Sequence, residues 1–441
     1  MNHKPHPTRR QFIKGMARGA IAASAVGPFL WTRRGHAQET TATTPAKVAP
    51  EDVVRVAMIG CGTMGRAHMY AMAENPNCEI VALCDVYTPR YEEVVGNIEK
   101  LIGKRPDTYQ DFRRVLDRKD IDAIFVPTPD HWHPLITILG CQAGKDVYVE
   151  KPVCPTVAEG RAMVTAARRY GRVVQVGTQQ RSMPVFQKAV EVVRSGKIGY
   201  VANASAWIDV NRFAVGETPR PVPEGLDWDL WLGPAPWVPY SPQRQFGFMG
   251  WHDYCRGGQL TNWGVHLMDI VHWGIGQDRP LSVQALGGSY REGAGADNYE
   301  TIEAVLEYPG CTVTWEQRHS PDHDNRGYGI QFQGTEGRLL VDRGTYRVYP
   351  ESLGIPEYVG EPERSWANTD HHNNFFDAVR SRRLPAADIE QGFRSTTAVL
   401  LAGIALKTRR RLDWDGEREV FLHDDDANRH LTRAYRAPWH L

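Results

Sequence analysis

The stretch "VVRVAMIGCGTMG", residues 53–65, decides the fold of the domain that contains it. Its first part is a nearly continuous apolar, β-branched run, which predicts a buried parallel strand that ends at Gly60. Gly60, Gly62 and Gly65 follow in the spacing G-x-G-x-x-G and open a helical pattern. The first glycine permits a tight turn, the second lets the backbone approach a pyrophosphate, and the third allows close packing of helix on strand. The stretch therefore predicts a dinucleotide-binding turn, with Thr63 and Met64 beside the phosphates.

A carboxylate supports this interpretation. "EIVALCD" (79–85) predicts a second strand, and it places Asp85 twenty residues after Gly65. A carboxylate at that point accepts hydrogen bonds from both ribose hydroxyls and repels a 2′-phosphate. We therefore expect the cofactor NAD rather than NADP.

The rest of the chain predicts two α/β domains. Strand patterns over 122–129, 146–152 and 172–179 alternate with helical patterns over 88–102, 111–118, 133–143 and 156–170, the last opening with a capping-box pattern at Thr156–Glu159. This alternation predicts a Rossmann domain, a doubly wound parallel sheet, over 53–175. Residues 281–350 contain strand patterns with little helix, and closing helices are predicted over 371–383 and 393–410. They indicate a second domain over 176–441 with a large, open, mostly antiparallel sheet, and we expect this domain to bind substrate and to mediate oligomerisation.

The first residues resemble an export signal. "TRRQFIK" (8–14) is followed by a short apolar run over 15–31 and by small residues at Gly35 and Ala37. The run is too short to span a bilayer comfortably. Residues 1–37 resemble a twin-arginine signal peptide, and 38–52 predict a polar linker. The alternative is an ordinary basic signal for the unfolded-chain route. The resemblance implies a periplasmic protein whose partner during export is the twin-arginine machinery, with no membrane span in the mature chain.

Composition excludes several classes of protein. Hydrophobic residues form 41% of the chain and charged residues 24%, and the 52 basic residues balance the 52 acidic ones, which gives no basic patch for nucleic acid. The seven cysteines form no C-x-x-C pair, so a disulfide framework is not expected. His131 and His133 alternate in "DHWHP" without a third ligand at a recognisable spacing, so no metal site is predicted.

A charged motif ends another predicted strand. "EKP", with Glu150, Lys151 and Pro152, stands where open α/β sheets bind their ligands. An ammonium beside a nicotinamide donates to a substrate hydroxyl and stabilises an alkoxide, or accepts a proton if its pKa is lowered. Lys151 is therefore a candidate catalytic residue.

In combination, the glycine loop, "PTPDHWHP" (127–134), "EKP" and "GGQLTNWGVHLMD" (257–269) resemble the Gfo/Idh/MocA family of glucose–fructose oxidoreductase and inositol dehydrogenase. The resemblance covers roughly residues 53–410. It implies hydride transfer between a nicotinamide and a sugar or inositol carbon, and a homodimer or homotetramer. It implies that His266 is the acid/base beside Lys151, and that Thr128, His133, Glu150 and Gln179 line the cofactor. Substrate contacts are expected from Lys151, Gln180, Arg181, Asp253, Asn262, Trp263 and His266.

One position departs from the family pattern. The family's aspartate, four residues before the histidine, is Asn262 here. An amide can bind a hydroxyl but cannot take a proton, so an Asp–His relay is in doubt. Three functions remain open: a sugar oxidoreductase, a redox-neutral NAD-dependent glycosidase that works by oxidation, elimination and reduction, and a non-catalytic sugar-binding protein.

Overall fold

The computed structural model describes residues 52–209, 216–290, 297–318, 326–360 and 369–441. The predicted signal peptide, and all but the last residue of the predicted linker, lie outside the described residues, so both stay predictions. In the described part of the chain, no helix is long and apolar enough to cross a membrane. All seven cysteines fall within the described residues, and each is free.

The first sheet has six parallel strands in the order β3-β2-β1-β4-β5-β6. The strands are β1 (Val54–Ile59), β2 (Cys78–Cys84), β3 (Asp107–Tyr109), β4 (Ala123–Val126), β5 (Asp146–Val149) and β6 (Val174–Val176). The chain reverses direction across the sheet between β1 and β4, which creates the crevice where doubly wound sheets bind ligands. The predicted parallel sheet is confirmed, and only the short, exposed β3 was missed.

Helices cover both faces of this sheet. They are α1 (Thr63–Ala73), α2 (Thr88–Ile102), α3 (Phe112–Leu116), α4 (His133–Gln142) and α5 (Val157–Arg169). The capping box expected at the start of α5 does not form, because the hydroxyl of Thr156 donates to the Glu159 carboxylate at 2.6 Å instead of capping the backbone. That hydrogen bond helps hold the buried Glu159 in an ion pair with Arg433 at 2.8 Å.

The second sheet has ten strands in the order β14-β13-β12-β11-β7-β10-β9-β8-β15-β16. The strands are β7 (Val201–Ile208), β8 (Ser282–Gly288), β9 (Thr301–Tyr308), β10 (Cys311–Gln317), β11 (Tyr328–Gly334), β12 (Arg338–Val341), β13 (Thr345–Tyr349), β14 (Tyr358–Val359), β15 (Leu412–Asp415) and β16 (Val420–Phe421). Only β7 and β10 run parallel among its described pairs, so the mostly antiparallel sheet is confirmed.

The remaining helices of the described residues are α6 (Pro184–Arg194), α7 (Trp228–Leu232), α8 (Pro242–Phe246), α9 (Gln259–Asn262), α10 (Gly264–Ile275), α11 (Thr369–Ser381), α12 (Ile389–Thr408) and α13 (Asp425–Arg429). Of these, α6, α10, α12 and α13 contact strands of the second sheet. Helix α10 is buried nearly all round, and a Cβ on Gly274 would lie 2.5 Å from the ring of Phe332 in β11. Helix α11 returns to the first domain, where Phe375 and Phe376 join the core on one face of the parallel sheet.

Candidate active site

The glycine loop has the geometry that the sequence predicts. Gly60 has φ +111°, a conformation that side chains rarely adopt, and a Cβ on it would lie 3.0 Å from the carbonyl oxygen of Pro127. A Cβ on Gly65 would lie 1.9 Å from the carbonyl oxygen of Gly60, so no other residue fits there. Thr63 and Met64 begin helix α1 directly after the loop, and Thr63 is exposed.

Asp85 ends β2 at the other side of the loop. Its Oδ2 accepts the backbone N–H of Cys61 at 2.8 Å, and its Oδ1 accepts that of Tyr87 at 2.9 Å. A carboxylate can accept about four hydrogen bonds, so oxygen lone pairs remain for two ribose hydroxyls. Burial raises the pKa of Asp85, while the charge of Arg90, 4.0 Å away, opposes that shift.

A cleft of about 510 Å³ joins these groups. It is lined by the glycine loop, Asp85, Arg90, Thr128, Leu230 and Trp231, among others. The hydroxyl of Thr128 is buried and has no hydrogen-bond partner among the described residues. Such a group needs a partner from a ligand or water. The glycine cradle, the carboxylate and this hydroxyl together fit a dinucleotide.

A segment of the second domain forms one wall of the cleft. We call residues 216–254 the covering segment; Leu226 pairs with Tyr87 of the first domain through an isolated bridge. Its apolar core contains Trp228 and Trp231, stacked at 4.6 Å, together with Tyr254. Apart from the substrate contact expected at Asp253, the sequence indicates no function for this segment, because its Pro-, Gly- and Trp-rich composition resembles an ordinary long loop.

Two tryptophans support this wall. The indole N–H of Trp132, which lines the cleft, donates to the Trp231 carbonyl at 3.0 Å. Trp439 packs edge-on against Trp132, with ring centroids 4.8 Å apart. One wall of the cofactor cleft is therefore built from parts of the chain that are far apart in sequence.

Lys151 lies just past the end of β5 and points at the second domain. Its Nζ donates to Oδ1 of Asn262 at 2.6 Å, and Nδ2 of Asn262 donates to Oε1 of Gln259 at 2.8 Å. Both Asn262 and Gln259 belong to α9. The amide that replaces the family aspartate therefore orients the lysine ammonium without offsetting its charge.

His266 lies in the first turn of α10, almost fully buried. Burial lowers its pKa well below the usual value, and the charges of Lys151 and Arg343 lower it further. Its Nδ1 is buried and has no partner among the described residues. The histidine is therefore neutral, and its buried Nδ1 can form a hydrogen bond with a ligand.

Glu150 belongs to a buried chain that the sequence did not reveal. Its Oε1 lies 3.0 Å from Nε2 of His68, and Nδ1 of His68 lies 2.9 Å from Nε2 of His372. Burial alone would raise the pKa of Glu150, but the hydrogen bond from His68 and the charges of His68, Lys151 and His133 together outweigh burial, and the pKa falls below its usual value. Gly177 leaves room for this carboxylate, since a Cβ there would lie 2.4 Å from Oε1. The chain fixes an ionised carboxylate directly before Lys151.

Several expected contact residues are engaged within the protein. Arg181 forms a buried ion pair with Asp269, at 2.6 Å and 2.9 Å, so these donors do not face a substrate. His133 has carbonyl oxygens at both ring nitrogens, 2.7 Å from Pro152 and 2.9 Å from Thr128, so it joins the "PTPDHWHP" loop to "EKP".

Asp253 lies in the covering segment with Arg244 3.5 Å away, and no contact joins it to Lys151 or His266 among the described residues. Gln179 and Gln180 follow β6 in a short 3₁₀ turn. The side-chain amide of Gln180 is fully buried, and neither of its ends has a partner among the described residues. Of this pair, Gln180 is the better candidate for a ligand contact.

Trp263 makes contacts that the sequence does not predict. The guanidinium of Arg343 lies over its ring at 4.8 Å, and the ring of Tyr328 lies 4.6 Å away. Arg343 comes from the turn between β12 and β13, and a lone arginine in a hairpin gives no sequence signal. Among the described residues, no group of three or more histidine, cysteine, aspartate or glutamate side chains is arranged to hold a metal ion.

Two family profiles match this chain. One, described as "Oxidoreductase family, NAD-binding Rossmann fold", matches residues 54–178, and the other, "Oxidoreductase family, C-terminal alpha/beta domain", matches residues 187–441. The chain belongs to the Gfo/Idh/MocA family. The resemblance that the motifs indicated is thereby confirmed, and so is NAD as the cofactor of the Rossmann domain.

Individual Gfo/Idh/MocA relatives resemble parts of the chain. A glycosyl hydrolase family 109 protein of a Shewanella species is 32% identical over 172 residues, which are 36% of this chain and 37% of that protein. D-apiose dehydrogenase of Paraburkholderia graminis is 33% identical over 145 residues, or 32% of this chain and 37% of that protein. The chain thus matches little more than a third of the length of these curated relatives.

A solved structure matches the fold more completely. The aldose-aldose oxidoreductase of Caulobacter crescentus, complexed with glycerol, superposes with a TM-score of 0.62 at 22% identity. The match covers 82% of this chain and 99% of that one. At this identity the likeness shows the shared two-domain fold of the Gfo/Idh/MocA family.

Proposed function

We propose that this protein is an NAD(H)-dependent oxidoreductase that acts on a hydroxyl of a sugar, glycoside or inositol. The observation that carries the proposal is the 2.6 Å hydrogen bond between Lys151 Nζ and Asn262, beside a buried, neutral His266. A fixed cation and a neutral base at the carboxyl end of a Rossmann sheet are what oxidation of an alcohol requires.

The residues divide this chemistry between them. The glycine loop, Asp85 and Thr128 would hold NAD, which when bound would supply the hydride acceptor for oxidation of the alcohol, or the hydride donor for reduction of the carbonyl. The hydroxyl proton passes to His266, whose buried Nδ1 has no partner among the described residues and can hydrogen-bond to the hydroxyl. The ammonium of Lys151 donates to the same oxygen and stabilises its negative charge, while Asn262 keeps the ammonium oriented. Reduction uses the same groups in reverse.

We further propose that the cofactor stays bound throughout the catalytic cycle. The covering segment supports this, because Leu230 and Trp231 wall the cleft and Trp132 and Trp439 pack behind them. A ligand enclosed in this way leaves only when the wall opens, so its dissociation rate is small. The hydride is then returned within the cycle to a second sugar, to an external acceptor or to the original substrate.

Retention of the cofactor gives a reason for the proposed export. The twin-arginine route carries folded proteins, so the protein is expected to take NAD with it to the periplasm, where no pool exists for exchange. Replacing Arg9 and Arg10 by lysine should keep the protein in the cytoplasm. Gly65→Ala should disrupt the glycine loop and prevent NAD binding, because its Cβ would lie 1.9 Å from the carbonyl oxygen of Gly60. This variant should also accumulate in the cytoplasm. Normal periplasmic delivery of the first variant would contradict the export proposal, and delivery of the second would contradict loading before export.

The alternative is a redox-neutral glycosidase, and the names of the Shewanella relatives favour it. Two measurements on purified protein separate the functions. Mass spectrometry of the denatured protein identifies any retained nucleotide. The protein is then incubated with aryl glycosides and with free sugars. Release of phenol without net reduction of the nucleotide indicates the glycosidase, whereas reduction of the bound nucleotide, measured at 340 nm, indicates the oxidoreductase. We expect the second result. Protein that is empty after dialysis and needs fresh NAD for each turnover would contradict cofactor retention.

We expect a homodimer or homotetramer. The outward face of the second sheet exposes Leu286 and Val305, at 66% and 47% of their surfaces, on neighbouring strands. Apolar side chains adjacent on an open sheet are typical of a surface that a second subunit covers. Light scattering of the mature protein measures the mass, and a Leu286→Lys/Val305→Lys pair should lower it. A monomer in the unmodified protein would contradict this expectation.

A further inference from the structure

A second cavity, open to solvent on one side, is lined by Leu260 of α9. Its empty space, including the part open to solvent, is about 580 Å³, and it lies between the start of α5, residues 298–302 and one face of α12. It shares no lining residue with the cofactor cleft, and none of Lys151, Asn262 and His266 lines it. The function proposed above leaves this cavity without a role.

Basic side chains collect at the cavity. Arg256, Lys407, His252 and His430 all line it. The positive charges of Arg256 and Lys407 lower the pKa of His252 and also that of His430. The four groups therefore lie close enough together to interact electrostatically. Neither cation has an ion pair or side-chain hydrogen bond in the described part of the chain.

Arg256 is the most unusual of the four. Its Nε is inaccessible to solvent and has no hydrogen-bond partner among the described residues. Burial lowers the pKa of its guanidinium, and the charge of Arg433 lowers it further. A guanidinium presents five donors, and a partly desolvated one without an acceptor is unfavourable unless a ligand or water supplies one.

The acids near the cavity are already occupied. Glu159, the acid that most affects Arg256, is held by Arg433 at 2.8 Å and by Tyr435 at 2.5 Å. Asp253 lies 3.5 Å from Arg244. On the histidine side, Asp426 accepts from Arg429 at 2.6 Å and from Arg410 at 3.0 Å, and Asp297 accepts the backbone N–H of His252 at 3.3 Å.

Most of the remaining wall is apolar. Leu260, Ile302, Leu400, Ile404 and Leu406 contribute to it. A small inorganic ion would satisfy the basic groups but would leave this surface in contact with water. A ligand with an anionic head and an apolar body matches both parts of the wall.

We propose that this cavity binds a small organic anion, with its carboxylate or phosphate on Arg256 and Lys407 and its apolar body against Leu260 and the leucines of α12. Leu260 and Asn262 belong to the same single turn of helix, so an occupant that touches Leu260 lies within one helical turn of the residue that orients Lys151. The site does not depend on which sugar the enzyme oxidises.

Calorimetric titration of the purified, NAD-loaded protein tests the site. Hexanoate and hexyl phosphate carry the same apolar body with the two head groups, and 1-hexanol lacks the charge. We expect at least one of the two anions to bind, and 1-hexanol to bind at least tenfold more weakly. The stronger of the two anions identifies the head group.

Variants then locate the binding. Arg256→Gln and Lys407→Gln should each weaken binding about tenfold or more. The control Arg105→Gln, which replaces an exposed arginine just after the C-terminal end of α2, should leave binding unchanged. Lys407 is exposed, so its variant keeps the test valid if Arg256→Gln does not fold. Equal binding by all variants, equal binding of 1-hexanol, or no binding of either anion would overturn the proposal. Unchanged NAD content in the variants separates this result from any failure of the cofactor site.

Discussion

Nζ of Lys151 and Oδ1 of Asn262 are 2.6 Å apart, so the lysine ammonium is held by a neutral amide where the family pattern has an aspartate. Asn262→Asp would add a negative charge at this distance. An opposite charge so close favours the charged form of the lysine and raises its pKa by about 1–3 units. We expect the basic limb of the kcat/KM–pH profile to move upward by at least about one unit. Asn262→Leu removes the hydrogen bond without adding charge, so the basic limb of its kcat/KM–pH profile should not move to higher pH. An unmoved limb in the aspartate variant would exclude Lys151 as the titrating group.

Lys151→Ala and His266→Ala should each lower turnover about 100-fold or more, the usual size for a positioned acid or base. NAD content should stay the same, because neither residue belongs to the glycine loop. Steady-state kinetics and nucleotide mass spectrometry measure the two effects. Lys104→Ala, an exposed lysine paired with Glu79, is the matched control. Full activity in either site variant would remove that residue from the mechanism.

Asp85→Ser should relax the preference for NAD. The carboxylate that repels a 2′-phosphate is lost, while Arg90, 4.0 Å from Asp85, remains to attract one. We expect the NADP/NAD ratio of kcat/KM to rise about tenfold or more. Adding Arg90→Gln should abolish most of this gain. Equal use of the two nucleotides by the unmodified protein would contradict the role given to Asp85.

Trp231→Ala should speed the release of NAD about tenfold or more, because Trp231 walls the cleft and stacks on Trp228. Dilution of the loaded protein into nucleotide-free buffer, followed by filtration at intervals, measures the rate. Trp237→Ala is the control, since Trp237 lies in the same segment but is 61% exposed and outside its apolar core. If both variants release NAD at the rate of the unmodified protein, the covering segment does not retain the cofactor.

Stability should fall as the pH falls below about 6.5. Burial lowers the pKa of His131 and His272 to about 3 and that of His371 to about 4, so these groups stay neutral in the folded protein and gain protons on unfolding. The unfolded state binds more protons between pH 6.5 and about 4, and each such histidine then costs about 1 kcal/mol per pH unit. Urea unfolding at pH 7 and pH 5 measures the loss. His272→Gln should reduce the slope, and equal stability at both pH values would contradict the prediction.

The sequence predicted the first domain well because its signals are local. The glycine spacing, the apolar strands and Asp85 each stand in one short stretch, and the geometry around Gly60 and Gly65 agrees with them. Strand β7 and helices α6 and α10 were not predicted. These elements are defined by what they pack against, which a single sequence does not display.

The site was predictable in part for the same reason. Lys151, Asn262 and His266 stand in motifs, whereas His68 and His372 meet Glu150 only after the chain has folded. Arg181 was expected to face a substrate because of its position after β6. Its partner, Asp269, lies 88 residues away on α10, and that pairing is invisible before folding.

The contact between Trp132 and Trp439 has a consequence for the order of events during synthesis. The glycine loop leaves the ribosome early, but the residue that braces the opposite wall of the cleft is translated several hundred residues later. A nascent chain can form the parallel sheet and still lack a closed nucleotide cleft. Completion of the cleft wall around NAD therefore follows translation of Trp439, and any quality check that senses this wall also senses that translation has reached this residue.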